Sequence, residues 1–316
     1  MMQTRRQFVR TLFVATQAAA LSPLLAQKMF AADAQADALN FLLVGDWGRN
    51  GEPDQMAVAK QMGIAGEQSA SKFVVAVGDN FYENGVKSVT DPQWQSSFEK
   101  VYTAPSLQVP WWSTLGNHDY HGNCDAQIEY SKTSKRWNMP ARYYTRTEKI
   151  DANNVVDFFY IDTTPMSKLD DDELDFVSNL KPETVPHQVA WLDTALAAST
   201  APWKIVIGHH PVYSGGQHGD TPYVVDHILP LLEKYGVQVY FNGHDHDLQH
   251  LQSGKINFFC TGGGSKPRKA IKKIPQTKFG VGCSGFIAAS LSADMLSVRM
   301  IDDKGAMIYA TNVPRV

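Results

Sequence analysis

Five apolar, β-rich runs each end in a glycine-flanked polar cluster, and this repetition constrains the fold more than any other feature of the chain. Leu39–Val44 runs into Gly45-Asp46-Trp47-Gly48, and Phe73–Val77 into Gly78-Asp79-Asn80. Trp111–Leu115 leads to Gly116-Asn117-His118-Asp119, Trp203–Ile207 to Gly208-His209-His210, and Val237–Phe241 to Asn242-Gly243-His244-Asp245-His246. Short, continuous apolar runs of this kind read as strands buried on both faces. Helix-like stretches at 53–70, 91–102, 185–199 and 222–235 lie between several of them. Buried strands alternating with helices predict a layered α/β arrangement. After Lys255 the pattern changes to consecutive strands at 256–261, 284–292, 295–301 and 306–311, so the sheets are expected to be mixed rather than purely parallel.

In α/β sheets ligands bind beyond the carboxyl ends of strands, where loops from separate segments converge. Glycine there lets the backbone turn sharply and lets a ligand come close. A single Gly-Asp or Gly-His ends many strands and means little; five in order point to one site. His244 and His246 are alternate residues of an extended segment and face the same way, so both imidazoles reach one place. His209 and His210 are adjacent and should point oppositely, leaving one of them as a ligand. Carboxylate, amide oxygen and imidazole suit first-row transition metals. The absence of thiolate argues against a structural zinc.

Composition removes other classes. The chain has 316 residues, 43% hydrophobic and 19% charged, with net charge −3. It is therefore well clear of disorder and lacks the basic excess of a nucleic-acid binder. Its three cysteines include no CxxC pair and are too few for a disulfide scaffold. Cys260 and Cys283 either pair or remain free thiols, with Cys124 odd.

The N-terminus reads as an export leader. Arg5 and Arg6, then Phe8, precede a moderately apolar run from Leu12 to Ala26, the charged and apolar regions of a signal peptide. The run is too short and polar for a membrane span, which needs about 20 apolar residues. The arginine pair resembles the twin-arginine signal, and A-x-A-like triplets place cleavage after Ala34 or Ala36. The expected organisation is a leader over 1–36 and one catalytic domain over 37–316. The expected partner is the twin-arginine export machinery, the expected location periplasmic or secreted from a bacterium, with no stable membrane anchor.

The motif series GDWG, GDNFY, GNHD, GHHPVYS and NGHDH resembles the calcineurin-like metallophosphoesterases. Tyr82 in GDNFY narrows the resemblance to purple acid phosphatases, in which a tyrosine colours a ferric ion. Gly122–Lys132, Lys135-Arg136-Trp137-Asn138 and Gly243–Gln249 are similar to the small tartrate-resistant, mammalian-type members, and the resemblance covers about 39–312. It implies an α/β fold, with α+β character, of two mixed β-sheets packed as a sandwich flanked by helices. It implies that Asp46, Asp79, Tyr82 and His246 hold Fe3+, and that Asp79 bridges to a divalent ion (Fe2+, Zn2+ or Mn2+) held with Asn117, His209 and His244. Charge counting agrees with this division: the first set offers three hard anionic oxygens, whereas the second adds only neutral donors to the shared carboxylate.

The implied activity is that of an exported, monomeric acid phosphatase, in which hydroxide held on the metal pair attacks small phosphate monoesters. His118 and His218 are the implied outer-sphere catalytic residues. An imidazole titrates near 6.5 when unperturbed and carries a proton in acid, which suits donation to a leaving alkoxide. A phosphodiesterase or nucleotidase on the same scaffold, a non-catalytic phosphate-binding protein and redox work at the iron pair are the alternatives. Two features stay outside this scheme. The acidic run Asp170–Asp175 occupies a loop where similar phosphatases carry a repressing insertion. The basic residues Lys266, Arg268, Lys269, Lys272 and Lys273 follow Thr261–Ser265 and read as a strand-end turn with a solvated surface, the alternative being a patch that attracts phosphate substrates. His121, His187, His210, His227 and His250 read as structural or surface residues.

Overall fold

Strand β1 (Leu39–Val44) is buried at every residue, and the reason is that it is covered on both faces. Phe41 and Leu43 point into the core shared with the second sheet, whereas Leu42 and Val44 pack beneath helix α1 (Pro53–Ser69). The computed structural model describes residues 38–167 and 181–315. The expected leader and the acidic run Asp170–Asp175 therefore lie outside the described residues.

Beyond β1 and α1, the chain forms β2 (Phe73–Ala76), β3 (Trp111–Ser113), α2 (Cys124–Tyr130), β4 (Trp137–Asn138), β5 (Tyr144–Lys149), β6 (Val155–Tyr160) and α3 (Thr164–Ser167). Next come α4 (Val185–Ala198), β7 (Trp203–Ile207), α5 (Leu229–Lys234), β8 (Val239–Asn242) and β9 (Leu248–Ser253). The last strands are β10 (Ile256–Thr261), β11 (Thr277–Val281), β12 (Gly285–Leu291), β13 (Met295–Asp302) and β14 (Met307–Pro314). One sheet has the order β14-β13-β12-β1-β2-β3-β4 and the other β11-β9-β10-β8-β7-β6-β5. β1 through β4 run parallel, as do β6, β7, β8 and β10, and the remaining strands pair antiparallel. Both sheets are mixed, as the strand-rich tail predicts.

The sheets face one another. Phe41 stacks on Phe73 at 5.0 Å and meets Phe158 of the opposite sheet edge-on at 5.6 Å, a geometry favourable for aromatic pairs. Helices α4 and α5 cover the outer face of the second sheet through Leu192, Leu196 and Leu232 against Phe159, Val206 and Tyr240. Helix α1 opens with Pro53, which loses no ladder hydrogen bond at a first turn, and closes with Ala70 in the left-handed conformation.

Two helices expected from the pattern contain π-helical turns. Over 91–102 the chain makes a π-helical turn, Trp94–Glu99. Over 222–235 a π-turn, Val224–Ile228, precedes α5. Pro230 sits in the first turn of α5 and has no N–H to continue the upstream ladder. Strand β9 escaped the pattern because it buries polar residues, Gln249 and His250.

Trp47 follows Asp46 and is fully buried among Phe81, Phe98, Tyr102, Trp111 and Trp137, at ring separations of 5.4–6.3 Å. It floors the loop that carries Asp46. Trp47→Ala is expected to cost about 3–5 kcal/mol through lost burial and a residual cavity, read as a lowered denaturant midpoint.

Candidate metal centre

Asp46 lies beyond β1, Asp79 and Tyr82 beyond β2, Asn117 beyond β3, His209 beyond β7, and His244 and His246 beyond β8. All five strands belong to the parallel centres of the two sheets, and their carboxyl ends converge. Asp46, Asp79 and His244 hold positive φ values of 58°, 49° and 72°. Non-glycine residues in that region carry local strain and cluster at functional sites. The neighbouring glycines make room for them. Gly78 has φ 94°, and a Cβ there would lie 2.6 Å from His209 Nδ1. A Cβ at Gly116 would fall onto the carboxylate of Asp79.

The seven side chains form two groups that share one carboxylate. The Tyr82 hydroxyl donates toward Asp79 Oδ2 at 2.8 Å and Asp46 Oδ1 at 3.0 Å, and lies 3.1 Å from His246 Nε2. Asp46, Asp79 and His246 bring ligand atoms close enough together to hold a metal ion. In the second group, Asn117 Oδ1 is 3.2 Å from His209 Nε2 and 3.0 Å from His244 Nδ1. His209 Nε2 lies 3.4 Å from Asp79 Oδ1. Each oxygen of Asp79 therefore serves a different group.

Backbone contacts orient the donors. His209 Nδ1 pairs with the Val77 carbonyl at 2.9 Å and His246 Nδ1 with the Lys266 carbonyl at 3.0 Å. Each carbonyl is an acceptor, so Nδ1 carries the proton and Nε2 keeps its lone pair. The amide of His244 donates to Asp46 Oδ2 and that of His118 to Asp79 Oδ1.

Burial sets the electrostatics. It lowers the pKa of His244 and His209, and of His246 to about 4, so these imidazoles are neutral and free to donate a lone pair. Burial and the nearby Asp79 push Asp46 well up. Burial raises Asp79 too, but His209 and His118 outweigh it and hold that carboxyl low. Burial and both carboxylates push the Tyr82 phenol well above its ordinary value. Three acidic oxygens crowded away from water repel one another when ionised, and bound cations relieve that repulsion. The donor set fits a pair of metal ions.

Residues 39–248 match the calcineurin-like phosphoesterase family. The chain is 43% identical over 245 residues to purple acid phosphatase 7 of Arabidopsis thaliana, covering 72% of this chain and 70% of that one. It is 38% identical over 302 residues to tartrate-resistant acid phosphatase type 5 of Sus scrofa, covering 88% and 87%. The chain belongs to the purple acid phosphatases. Membership makes it a metal-dependent phosphoesterase of the calcineurin-like superfamily. In structure it also resembles GAP50, the anchor in the inner membrane complex of Plasmodium, with TM-score 0.79, 25% identity and coverage of 88% and 89%.

These relatives correct one expectation. They belong to a plant, a mammal and the inner membrane complex of Plasmodium, so the bacterial periplasmic or secreted location reached through the twin-arginine machinery is withdrawn. A charged start followed by a short apolar run is shared by many export leaders and does not specify a compartment. Among the described residues no helix is long and apolar enough to cross a membrane.

In this purple acid phosphatase the two expected outer-sphere histidines sit differently. His118 packs its ring 4.3 Å from Tyr82, and its Nδ1 meets the Glu83 carbonyl at 2.7 Å. His218 lies 4.2 Å from the His244 ring, and its Nε2 meets the Arg268 guanidinium at 2.6 Å. Arginine only donates, so that nitrogen is the acceptor, and burial lowers the His218 pKa. His210 meets Thr163 Oγ1 at 2.9 Å through Nδ1, and its ring packs 4.3 Å from that of His244. The three cysteines are all free, and no disulfide joins Cys260 to Cys283.

Several supporting residues were not legible beforehand. Asp119 accepts from the amides of Gly116, Asn80 and Phe81 at 2.9, 3.1 and 3.2 Å and from Gln127 Nε2 at 2.8 Å. It thereby ties the Asp79 loop to the Asn117 loop. Asp245 accepts from Ser214 Oγ and from the His218 amide. Their signal was present in GNHD and GHDH, as the acidic letter left without a ligand role.

Asp162, at the carboxyl end of β6, is fully buried and accepts a short bond from the Tyr120 hydroxyl. Burial pushes its carboxyl up to about 6. The folded state thus binds the extra proton between the unfolded pKa near 4 and about 6, so this group's contribution to stability falls as pH rises through that window and then levels. Asp162→Asn removes the titration. Relative to the parent, the variant is expected to gain roughly 3 kcal/mol between pH 4 and pH 7, measured by denaturant unfolding at stepped pH.

Proposed function

We propose that the chain is an acid phosphatase that hydrolyses small phosphate monoesters at a binuclear centre. Asp46, Asp79, Tyr82 and His246 would hold Fe3+, and Asp79, Asn117, His209 and His244 would hold Fe2+, Zn2+ or Mn2+. The observation that carries this reading is the division of the Asp79 carboxylate, Oδ2 toward Tyr82 and Oδ1 toward His209. Oxygen-rich, anionic donors favour the trivalent ion and neutral nitrogen donors the divalent one. When bound, such a pair supplies an activated water and neutralises charge on the phosphoryl group.

The chain's own residues then handle orientation and the proton. Bonding of His118 Nδ1 to the Glu83 carbonyl fixes the ring and leaves Nε2 as the nitrogen for the leaving oxygen, the general-acid position. His218, accepting from Arg268, presents that cation beside the centre, where it attracts phosphoryl oxygens. His218 therefore acts on substrate together with Arg268 and leaves proton donation to His118.

The test is the visible spectrum of freshly purified protein with metal analysis, followed by turnover on paired monoester and diester substrates. A phenolate-to-iron band, stoichiometric iron and preference for monoesters are expected. Diester preference would replace the substrate assignment, and a colourless, iron-free enzyme of full activity would overturn the centre.

A further inference from the structure

Arg49 occupies a position that the proposed chemistry leaves unused. Its guanidinium carbon sits 3.6 Å from the centroid of the Tyr82 ring, and the side chain is only 6% exposed. It is clamped from three directions. Its backbone amide donates to Gln55 Oε1 at 3.0 Å, Nε donates to Ser265 Oγ at 3.1 Å, and Nη1 pairs with the Glu83 carboxylate. Ser265 in turn donates to the backbone carbonyl of Asp46 at 2.6 Å. Glu83 is largely solvent-exposed, and its other carboxylate oxygen lies 3.8 Å from His118 Nδ1.

A buried cation held flat over an aromatic face is attracted by the ring's electrons. Its field acts on whatever charge the ring carries. Residues one step removed from a metal ligand tune that ligand's donor strength.

We infer that Arg49 is a positioning residue that sets the electron-donor strength of Tyr82 toward the trivalent ion, with Glu83 setting how much of the arginine's charge the ring feels. This rests on the assignment of Tyr82 as a phenolate ligand of Fe3+. A positive charge over the ring lowers the filled π levels from which the charge-transfer electron leaves. The phenolate-to-iron transition therefore needs more energy than it would without Arg49. Removing the cation weakens this hold and moves the band to longer wavelength. Removing the Glu83 charge leaves Arg49 uncompensated and moves it to shorter wavelength.

The experiment is the visible spectrum of the iron-loaded full chain, with iron quantified, for Arg49→Gln, Arg49→Lys and Glu83→Gln, alongside Tyr82→Phe. Arg49→Gln is expected to shift the band to longer wavelength, Arg49→Lys to return most of that shift, and Glu83→Gln to move it the opposite way. A role confined to holding the loop would change iron content without moving the band of the iron that is bound. Glu83 lies at the surface, so its variant gives a reading even if Arg49→Gln fails to fold. If the parent is coloured and Tyr82→Phe is not, an unmoved band in Glu83→Gln and in any folded Arg49 variant overturns this inference alone. A colourless parent with stoichiometric iron overturns the phenolate assignment and this inference with it.

Discussion

Asp79→Asn is expected to lose metal from both halves of the proposed centre and to leave almost no phosphatase turnover. The two oxygens of this carboxylate face different donor groups, Oδ2 the Tyr82 hydroxyl and Oδ1 His209 Nε2. Asparagine keeps the shape and removes the charge. The group proposed for Fe3+ would then lose one of its three anionic oxygens, and the group proposed for the divalent ion its only anionic donor. Disrupting a partner one step removed from a metal typically costs 10–100-fold in affinity or activity. Removing a shared ligand is expected to exceed that in each group. Asp79 Oδ1 also accepts the His118 amide at 2.8 Å, a bond the asparagine oxygen can keep, so the fold should survive. Metal content per chain together with monoester turnover checks the prediction. Retention of both metals would show that Asp79 does not bridge.

The second large effect belongs to His118. His118→Asn removes the imidazole and keeps the backbone amide that holds Asp79. If His118 protonates the leaving oxygen, turnover on alkyl monoesters is expected to fall roughly 10²–10⁴-fold. Aryl monoesters, whose leaving groups are stable as anions, should lose far less. That contrast separates a proton donor from a residue that only packs against Tyr82, because lost packing would slow both substrate classes alike. The visible band should persist, since His118 belongs to neither donor group.

The layered architecture was readable because strands covered on both faces write themselves as unbroken apolar runs, as in Leu39–Val44 and Trp203–Ile207. Six of the seven candidate donors were readable because glycine beside Asp, Asn or His marks a strand end, and five such ends recur in order. Tyr82 was the exception. It lies three residues beyond Asp79, and only the family resemblance distinguished it from an ordinary buried tyrosine. What stayed hidden depended on contacts between distant segments. Asp119 takes the amides of Asn80 and Phe81 from 39 and 38 positions away, and Arg49 meets Ser265 across 216 positions. Arg268 read as part of a solvated basic stretch, because its partner His218 lies 50 positions away. Strand β9 was missed because local hydropathy cannot reveal that Gln249 and His250 are enclosed by neighbours from elsewhere.

Each donor group draws on both sheets. Asp46, Asp79, Tyr82 and Asn117 follow strands of one, and His209, His244 and His246 follow strands of the other. A cation in either group therefore acts as a rivet through the two halves of the sandwich. Its binding energy becomes part of what resists unfolding, worth about 2.7 kcal/mol at a hundred times its dissociation constant. Stripping the proposed metals would then weaken the sandwich as well as silence the site, the two losses rising together as the cation concentration falls.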